Sequence, residues 1–190
     1  MKHAADRIVL IGGSAGSLLL ITKILESLPA RLTYALCILI HRSPIFNTKI
    51  ENTLSKRLNR DIVSIKDKMK INEGTVYFAP PGYHLLIEPD KTFALDCSEH
   101  VNYAKPSIDV LFETCAQVYR ENCAAFLLSG ANTDGARGLR TIVDFGGKTF
   151  IQAPDEALID TMPLSGIQES RTSTILKNQD IICYFSYNHQ

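Results

Sequence analysis

The sequence has no excess of charge of either sign and no long apolar run. Its 190 residues carry 20 basic and 20 acidic side chains, so the formal net charge is zero. A nucleic-acid-binding domain normally shows a basic excess, so nucleic acid is not expected as a partner. No apolar stretch reaches the roughly 20 residues of a membrane span, and the polar start lacks the apolar core of a signal peptide. The sequence therefore predicts a cytoplasmic protein that does not insert into a membrane.

Paired-cysteine motifs are also absent. The five cysteines are an odd number, and no two have C-x-x-C spacing, which favours free thiols in a reducing compartment. The remaining composition is globular, with 45% hydrophobic and 21% charged residues. No repeat or low-complexity linker divides the chain, so we expect a single domain over residues 1–190. Neither a metal ion nor another cofactor is expected.

Apolar runs alternate with helical periodicity along most of the chain. Strands are predicted at residues 7–11, 34–40, 75–78, 84–87, 92–95, 124–128 and 148–152, and helices at 17–28, 45–58, 107–119 and 134–145. The end of the chain, 173–187, has room for one more strand. This order predicts an α/β fold, doubly wound, with a mainly parallel sheet and helices on both faces. The strands between 75 and 95 predict an antiparallel hairpin decoration.

Three polar residues follow the three most apolar strands. Ser14 follows the first, His41 the second and Asp134 the third. Because ligands of open parallel sheets bind beyond the carboxyl ends of the strands, these side chains are expected at one edge. A hydroxyl, an imidazole and a carboxylate are the components of an acyl-transfer triad. The sequence therefore predicts Ser14 as nucleophile, His41 as general base and acid, and Asp134 as the orienting acid.

Each of these residues also has a simpler interpretation, and a histidine directly after an apolar strand, such as His41, is on its own more often a satisfied buried residue. Ser14 lies in a segment that matches G-x-S-x-G, yet this segment taken alone is more often a plain strand-to-helix turn. Asp134 can simply cap its own helix. Asp155 and Glu156, after a later strand, are alternatives for the orienting acid. The order Ser, His, Asp also differs from that of α/β-hydrolases.

A nucleotide-binding module is the alternative from another class, because a glycine-rich first turn suits phosphate. However, the sequence contains neither G-x-G-x-x-G nor G-K-[ST]. The second strand also ends in His41 rather than in an acidic ligand for ribose.

Six segments in order resemble the catalytic domain of the chemotaxis protein-glutamate methylesterase (CheB-type) family. Residues 12–17 resemble its G-A-S-x-G-G loop, 41–44 its H-x-x-P, 81–84 its P-G-x-x-H, 105–112 its R-P-S-V-D-x-L-F, 128–136 its L-T-G-M-G-x-D-G-A, and 152–163 its ending with Met-Pro. Each match alone is weak. Six in order over roughly residues 7–170 are specific.

The resemblance implies a serine esterase. The family's triad falls on Ser14, His41 and Asp134, and oxyanion donors are implied at the backbone N–H groups of Ala15 and Ala131. The implied reaction is hydrolysis of γ-glutamyl methyl esters on chemoreceptors through an acyl-enzyme, with glutamine deamidation in some members. Methylated receptor helices are the implied partners, with a receiver domain or methyltransferase of the same system.

Some positions depart from the family pattern. Ser17, Ala131 and Lys105 stand where the family has glycine, methionine and arginine. The family's N-terminal receiver domain is not within these 190 residues. A methylesterase-like interaction domain that has lost activity therefore stays open as an alternative.

Recognition of the receptor predicts a basic substrate rim. Receptor segments near methylation sites are rich in glutamate, so positive charge beside the site favours encounter. Arg42, Lys105 and Arg137 lie beside the predicted site in sequence and are the predicted rim residues.

Overall fold

The structure is a computed structural model that describes residues 3–42, 50–101 and 104–187. Its strands are β1 (Ile8–Gly13), β2 (Ala35–Ile40), β3 (Ile62–Ser64), β4 (Val76–Phe78), β5 (His84–Ile87), β6 (Phe93–Asp96), β7 (Cys123–Leu127), β8 (Lys148–Gln152) and β9 (Thr174–Leu176). Its helices are α1 (Leu18–Ser27), α2 (Ile50–Leu58), α3 (Ile108–Tyr119), α4 (Ala136–Asp144), α5 (Thr161–Glu169) and α6 (Asn178–Ser186). Short 3-10 turns occupy Arg120–Asn122 and Pro154–Glu156.

Seven of the strands form one sheet in the order β3-β4-β2-β1-β7-β8-β9, and every neighbouring pair is parallel. The central strands β1, β2 and β7 are buried along their whole length. Strands covered on both faces need no polar side, which explains their continuous apolar sequences. Strands β5 and β6 form a separate antiparallel hairpin. The predicted α/β fold, doubly wound with a mainly parallel sheet and a hairpin decoration, is confirmed.

Helices cover both faces of the sheet, and each face has its own apolar cluster. On one face α1 packs against α6, and the cluster includes Ile21, Leu54 and Phe185. On the other face α3 packs against α4 and against the hairpin, and the cluster includes Phe93 and Phe112. The hairpin therefore packs on the α3 side of the sheet.

The strand order reverses its direction at β1 and β7, which makes their carboxyl ends the switch point of the topology. The chain leaves β1 through α1 toward β2 on one side, and it leaves β7 through α4 toward β8 on the other. Because the two neighbouring connections diverge, ligands of such sheets bind between them. Ser14 directly follows β1, and the loop that contains Asp134 follows β7.

The strand predicted at 75–78 belongs to a different sheet from the one expected. β4 pairs with β2 and β3 in the parallel sheet, and it does not pair with β5. All three of its residues are buried, as in an inner strand rather than a hairpin strand with one open face. The hairpin is therefore limited to β5 and β6.

Other differences lie at short or composite segments. Residues 173–187 hold the three-residue strand β9 and then helix α6, whose buried Ile181 and Phe185 lie one turn apart. The short strand β3 and helix α5 were not predicted. Of the helix predicted at 45–58, residues 45–49 lie outside the described part, and α2 accounts for the rest. No helix in the described ranges is long and apolar enough to span a bilayer.

Candidate active site

Ser14 lies in the tight turn between β1 and α1. Its backbone N–H donates to the carbonyl of Ser129 at 2.9 Å, which ties this turn to the end of β7. The Ser17 hydroxyl donates to the Ser14 carbonyl at 2.7 Å and closes the turn. Gly130 lies so close that a Cβ there would come within 3.0 Å of Ser14 Cβ. The turn therefore holds Ser14 against the loop that leads to Asp134.

His41 and Asp134 form the central contact of the site. The His41 backbone N–H donates to the carbonyl of Gly13 at 3.1 Å, beside Ser14. Its ring Nε2 lies 2.8 Å from Asp134 Oδ2, and the two side chains are 14% and 0% exposed. His41 and Asp134, which the sequence predicted at the ends of two different strands, are therefore in direct contact.

The carboxylate of Asp134 is held by the first turn of α3 rather than by its own helix. Oδ2 accepts the N–H of Ile108 at 2.6 Å, and Oδ1 accepts the N–H of Asp109 at 3.1 Å. The Ser107 hydroxyl donates to Oδ1 at 2.8 Å. Free N–H groups and the positive end of a helix dipole favour a bound carboxylate. α4 itself begins only at Ala136, so Asp134 caps α3 across the sheet edge.

These contacts determine the protonation of the pair. Burial of Asp134 favours the neutral acid, but hydrogen bonds from His41, Ile108 and Asp109 outweigh it and keep the pKa of this carboxyl below its ordinary value. An ionised Asp134 accepts only, so His41 Nε2 must carry a proton and donate. In this tautomer, Nδ1 is the ring nitrogen that can offer a lone pair, as a general base requires.

Asn132 faces that lone pair. Its carboxamide Nδ2 lies 3.4 Å from His41 Nδ1, while its Oδ1 accepts the N–H of Asp134 at 3.2 Å. The bond to Oδ1 identifies the other end of the carboxamide as the donor. The resemblance aligned this position with a glycine of the L-T-G-M-G-x-D motif, so this contact is a feature of the present chain.

The expected bond between Ser14 and His41 is not among the hydrogen bonds of the described residues. The backbone bond from His41 to Gly13 keeps Ser14 next to His41 in the structure. However, the hydrogen-bond partner of His41 Nδ1 is Asn132 Nδ2. Catalytic hydrogen bonds are often long or unmade in unliganded enzymes and tighten with substrate. Proton transfer from Ser14 would require Nδ1 to exchange Asn132 for the serine hydroxyl.

Two backbone amides near Ser14 are candidates for binding an oxyanion. Ala15 directly follows Ser14, and Ala131 follows Gly130, whose own N–H donates to the carbonyl of Ile159. Within the ranges that the structure describes, the N–H groups of Ala15 and Ala131 make no hydrogen bond. Both residues are exposed.

The three predicted rim charges differ in their surroundings. The Arg42 side chain is only 9% exposed, and it pairs with Glu51 of α2 and donates to the carbonyl of Ala79. The charge of Arg42 is thus paired and largely covered, whereas a rim charge would be exposed. Lys105 Nζ donates to the carbonyl of Cys97 at 2.7 Å. Arg137 is 55% exposed and pairs with Glu113 at 2.7 Å.

The alternative acids lie elsewhere. Asp155 and Glu156 belong to the 3-10 turn after β8, and the Glu156 carboxylate accepts the N–H of Asn178 at 2.6 Å. Asp134 is the carboxylate that contacts His41. In the described parts of the chain, no three His, Cys, Asp or Glu side chains cluster as metal ligands would.

Sequence reasoning missed Ser107, His84 and Asn132 as members of the site. Ser107 caps α3, since its hydroxyl also accepts the Val110 N–H at 3.5 Å. His84 begins a predicted hairpin strand, so the order of the parallel strands gave no reason to place it near Asp134. For Asn132 a signal existed, because an asparagine two residues before Asp134 is typical of an Asx turn.

Comparisons with known proteins agree on one family. A family model described as CheB methylesterase matches residues 9–184. A relative from Leptospira interrogans, provisionally named protein-glutamate methylesterase/protein-glutamine glutaminase, is 40% identical over 173 residues, which are 91% of this chain and 90% of that protein. Protein-glutamate methylesterase/protein-glutamine glutaminase 2 of Methanosarcina acetivorans is 30% identical over 184 residues, which are 93% of this chain and 52% of that protein.

A solved structure has the same fold. The crystal structure of the Thermotoga maritima CheB methylesterase catalytic domain matches with a TM-score of 0.85 and 25% identity. The match covers 94% of this chain and 98% of that one.

Proposed function

The chain belongs to the CheB methylesterase family, and we propose that it hydrolyses γ-glutamyl methyl esters on the cytoplasmic helices of chemoreceptors. The observation that carries the proposal is the buried His41–Asp134 pair at 2.8 Å, beside the turn that holds Ser14. Family membership favours this function over a nucleotide-binding module.

Acylation is the first proposed step. The Ser14 hydroxyl attacks the ester carbonyl carbon while His41 Nδ1 takes its proton, and Asp134 remains ionised beside the resulting imidazolium. The carbonyl oxygen becomes an oxyanion, which accepts the N–H groups of Ala15 and Ala131. The tetrahedral intermediate then expels the methoxy group, which takes the proton from Nδ1 and leaves as methanol.

Hydrolysis of the acyl-enzyme is the second step. Water attacks the glutamyl ester on Ser14, His41 Nδ1 takes one proton from the water, and Ser14 leaves with that proton. The product is a glutamic acid side chain, which loses its own proton to solvent and becomes the carboxylate. With ammonia in place of methanol, the same steps convert glutamine to glutamate. That reaction corresponds to the glutaminase part of the relatives' names.

The proposal also covers partners and domain organisation. Residues 1–190 act as one catalytic domain in the cytoplasm, with methylated receptor helices as substrate. A receiver domain or a methyltransferase of the same system is the further partner we propose. Because a methyl group offers little to recognise, the surface around Ser14 must bind the helix that carries the ester.

A second candidate is a methylesterase-like interaction domain without activity. The observation that favours it is the missing Ser14–His41 hydrogen bond, since His41 Nδ1 faces Asn132 instead. Under this candidate the chain still binds receptor helices but releases no methanol.

One experiment separates these candidates. Methanol release from methylated receptor is measured for the wild type, for Ser14→Ala and for Ser186→Ala, an exposed serine of α6 that serves as control. Ser14→Ala is expected to lower the rate by about a thousandfold or more, as loss of a triad nucleophile does. Ser186→Ala should match the wild type.

The opposite results are equally clear. A Ser14→Ala variant that keeps more than about a tenth of the rate would remove Ser14 from the mechanism. A wild type whose methanol release does not exceed that of Ser14→Ala would identify the inactive interaction domain. Mass spectrometry of acid-quenched reactions should find the glutamyl group on the peptide that contains Ser14.

A further inference from the structure

Two fully buried polar side chains, of which one contacts Asp134 and the other contacts the first, take no part in the proposed chemistry. They are His84, the first residue of β5 and 1% exposed, and Ser107, which precedes α3 and is 0% exposed. They are 23 residues apart in sequence. Buried polar groups cost free energy unless they are hydrogen-bonded, so their partners identify what they do.

The contacts run in one line from the hairpin to the catalytic pair. The ring Nε2 of His84 lies 2.8 Å from the carbonyl oxygen of Glu99, and the N–H of Ser107 lies 3.2 Å from His84 Nδ1. The Ser107 hydroxyl then donates to Asp134 Oδ1, and Asp134 Oδ2 accepts from His41.

The partners leave His84 one protonation state. A backbone carbonyl can only accept, so Nε2 must carry a proton and donate it to Glu99. A backbone N–H can only donate, so Nδ1 must be bare and accept from Ser107. The ring is therefore neutral, and each nitrogen has a role that the other cannot perform.

We propose that His84 is a positioning residue for the catalytic acid and acts through Ser107, an inference that rests on the triad of the proposed function. Ser107 is the cap of α3 in an extended conformation, with φ −102° and ψ 132°. Its N–H has His84 as acceptor, and this bond sets the direction in which the Ser107 hydroxyl points. The same turn directs the N–H groups of Ile108 and Asp109 at Asp134.

Removing the acceptor on His84 should disturb Asp134 without touching it. The buried N–H of Ser107 would lose its partner, and the first turn of α3 would rotate to find another. The donors on Asp134 would then move relative to His41, and the orientation of the general base would be lost. The expected effect falls on kcat, because these groups do not contact the substrate.

Two substitutions of His84 separate its two nitrogens. In His84→Asn the side-chain carbonyl reaches the place of Nδ1 and keeps an acceptor for Ser107, but the bond to Glu99 is lost. In His84→Gln the longer side chain reaches the place of Nε2 and keeps a donor to Glu99, but Ser107 loses its acceptor. Each variant loses one of the two hydrogen bonds of the ring.

The measurement is hydrolysis of a small methyl ester with wild type and both variants. His84→Gln is expected to lower kcat by about tenfold or more at unchanged KM, the rate change of one lost hydrogen bond. His84→Asn, the conservative variant, is expected to recover kcat to within about threefold. In proton NMR spectra, the downfield signal of the His41 Nε2 proton should persist in His84→Asn and shift or vanish in His84→Gln.

Equal kcat losses in the two variants, or wild-type kcat in His84→Gln, would overturn the proposal. If a His84 variant fails to fold, Ser107→Ala tests the same line, because it keeps the N–H and removes the hydroxyl. When both fold, the double variant His84→Gln/Ser107→Ala should lose no more than the worse single variant. Losses that multiply would show that His84 does not act through Ser107.

The NMR signal also separates this inference from the proposed function. If the wild type hydrolyses no ester at all, the proposed function fails. The His41 proton signal in the two His84 variants still reports whether His84 positions Asp134.

Discussion

Two buried carboxylates lie side by side at the first turn of α3, and their surroundings act on them in opposite directions. For Asp134, burial opposes ionisation, yet its hydrogen bonds outweigh burial and lower the pKa. For Asp109, which is 1% exposed, burial dominates and raises the pKa from 3.8 to about 6. Asp109 Oδ1 accepts the N–H groups of Gly135 and Gly138, which offsets only part of this cost.

These shifts predict opposite contributions to stability as pH changes. A pKa that folding lowers, as in Asp134, contributes stability that is present above the unfolded pKa and is lost as pH falls through the folded one. A pKa that folding raises, as in Asp109, contributes stability that is full below the unfolded value and is lost as pH rises through about 6. At neutral pH, ionised Asp109 therefore lowers the free energy of unfolding.

Asp109→Asn is accordingly expected to stabilise the protein at neutral pH. Asparagine keeps a carbonyl oxygen for the N–H groups of Gly135 and Gly138 and removes the buried charge. A shift from 3.8 to about 6 corresponds to at most about 3 kcal/mol, so we expect a gain of about 1–3 kcal/mol at pH 7.5. Urea unfolding at pH 7.5 and at pH 4 measures it, and the gain should nearly disappear at pH 4. A loss of stability at pH 7.5 would mean that ionised Asp109 is compensated by its neighbours.

At the scale of elements, the spacing of α3 and α4 shapes the site. α3 holds the carboxylate of Asp134, and α4 begins directly after that residue's turn. The helices meet at Gly138, where a Cβ would lie 2.6 Å from Phe112 Cβ and 3.2 Å from Asp109 Cα. Phe112 Cβ and Asp109 Cα are fixed to the backbone of α3, so neither atom can move aside unless the whole helix moves.

Gly138→Ala and Gly166→Ala form a matched pair that tests this contact. Both glycines lie within helices, where alanine is favoured by about 1 kcal/mol. At Gly166 the new methyl would meet only the ends of Leu127, Ile151 and Leu139 at 3.0–3.2 Å, and these ends can rotate. We expect Gly138→Ala to lower the free energy of unfolding by roughly 1–2 kcal/mol and Gly166→Ala to change it by less than about 0.5 kcal/mol.

Urea unfolding of the two variants gives the comparison. Similar stabilities would show that α3 and α4 can separate freely, and that their spacing does not constrain the site.

For the protein as a whole, the proposed recognition of a receptor would depend on local charge. The net charge is zero, so steering by the whole protein is weak, and a rim near Ser14 would have to supply it. Arg42 is enclosed with Glu51. Arg137, in the first turn of α4, is 55% exposed although it pairs with Glu113, and it is the rim residue we propose for a test.

Arg140 provides the control for Arg137. It lies one turn further along α4, is 57% exposed and pairs with Asp144. We expect Arg137→Glu to lower kcat/KM on intact receptor by about threefold to tenfold at low salt, and less at high salt, where charges are screened. Arg140→Glu should have little effect, and neither should slow hydrolysis of a small ester. Equal losses on both substrates would assign Arg137 to the chemistry or the fold instead of to docking.

The amino-acid sequence alone was enough to predict the central strands of the sheet and the catalytic candidates. The buried strands β1, β2 and β7 correspond to the apolar runs around residues 7–11, 34–40 and 124–128. A strand that is covered on both faces has no face exposed to water, so its sequence is apolar throughout. The meeting of parallel strand ends then brought His41 and Asp134 into contact. Both results depend on periodicity and order along the chain, which a single sequence displays.

The partners of the buried polar groups, by contrast, follow from how distant segments pack. Arg42 forms an ion pair with Glu51. Ser107 donates a hydrogen bond to Asp134, which is 27 residues away in sequence, and its N–H donates to His84 of the hairpin. β4 likewise belongs to the parallel sheet, where β2 and β3 pair with its two edges and all three of its residues are buried. Such pairings depend on which distant segments pack together. A buried polar group costs free energy unless it is hydrogen-bonded, but the partners within its reach are defined only by that packing.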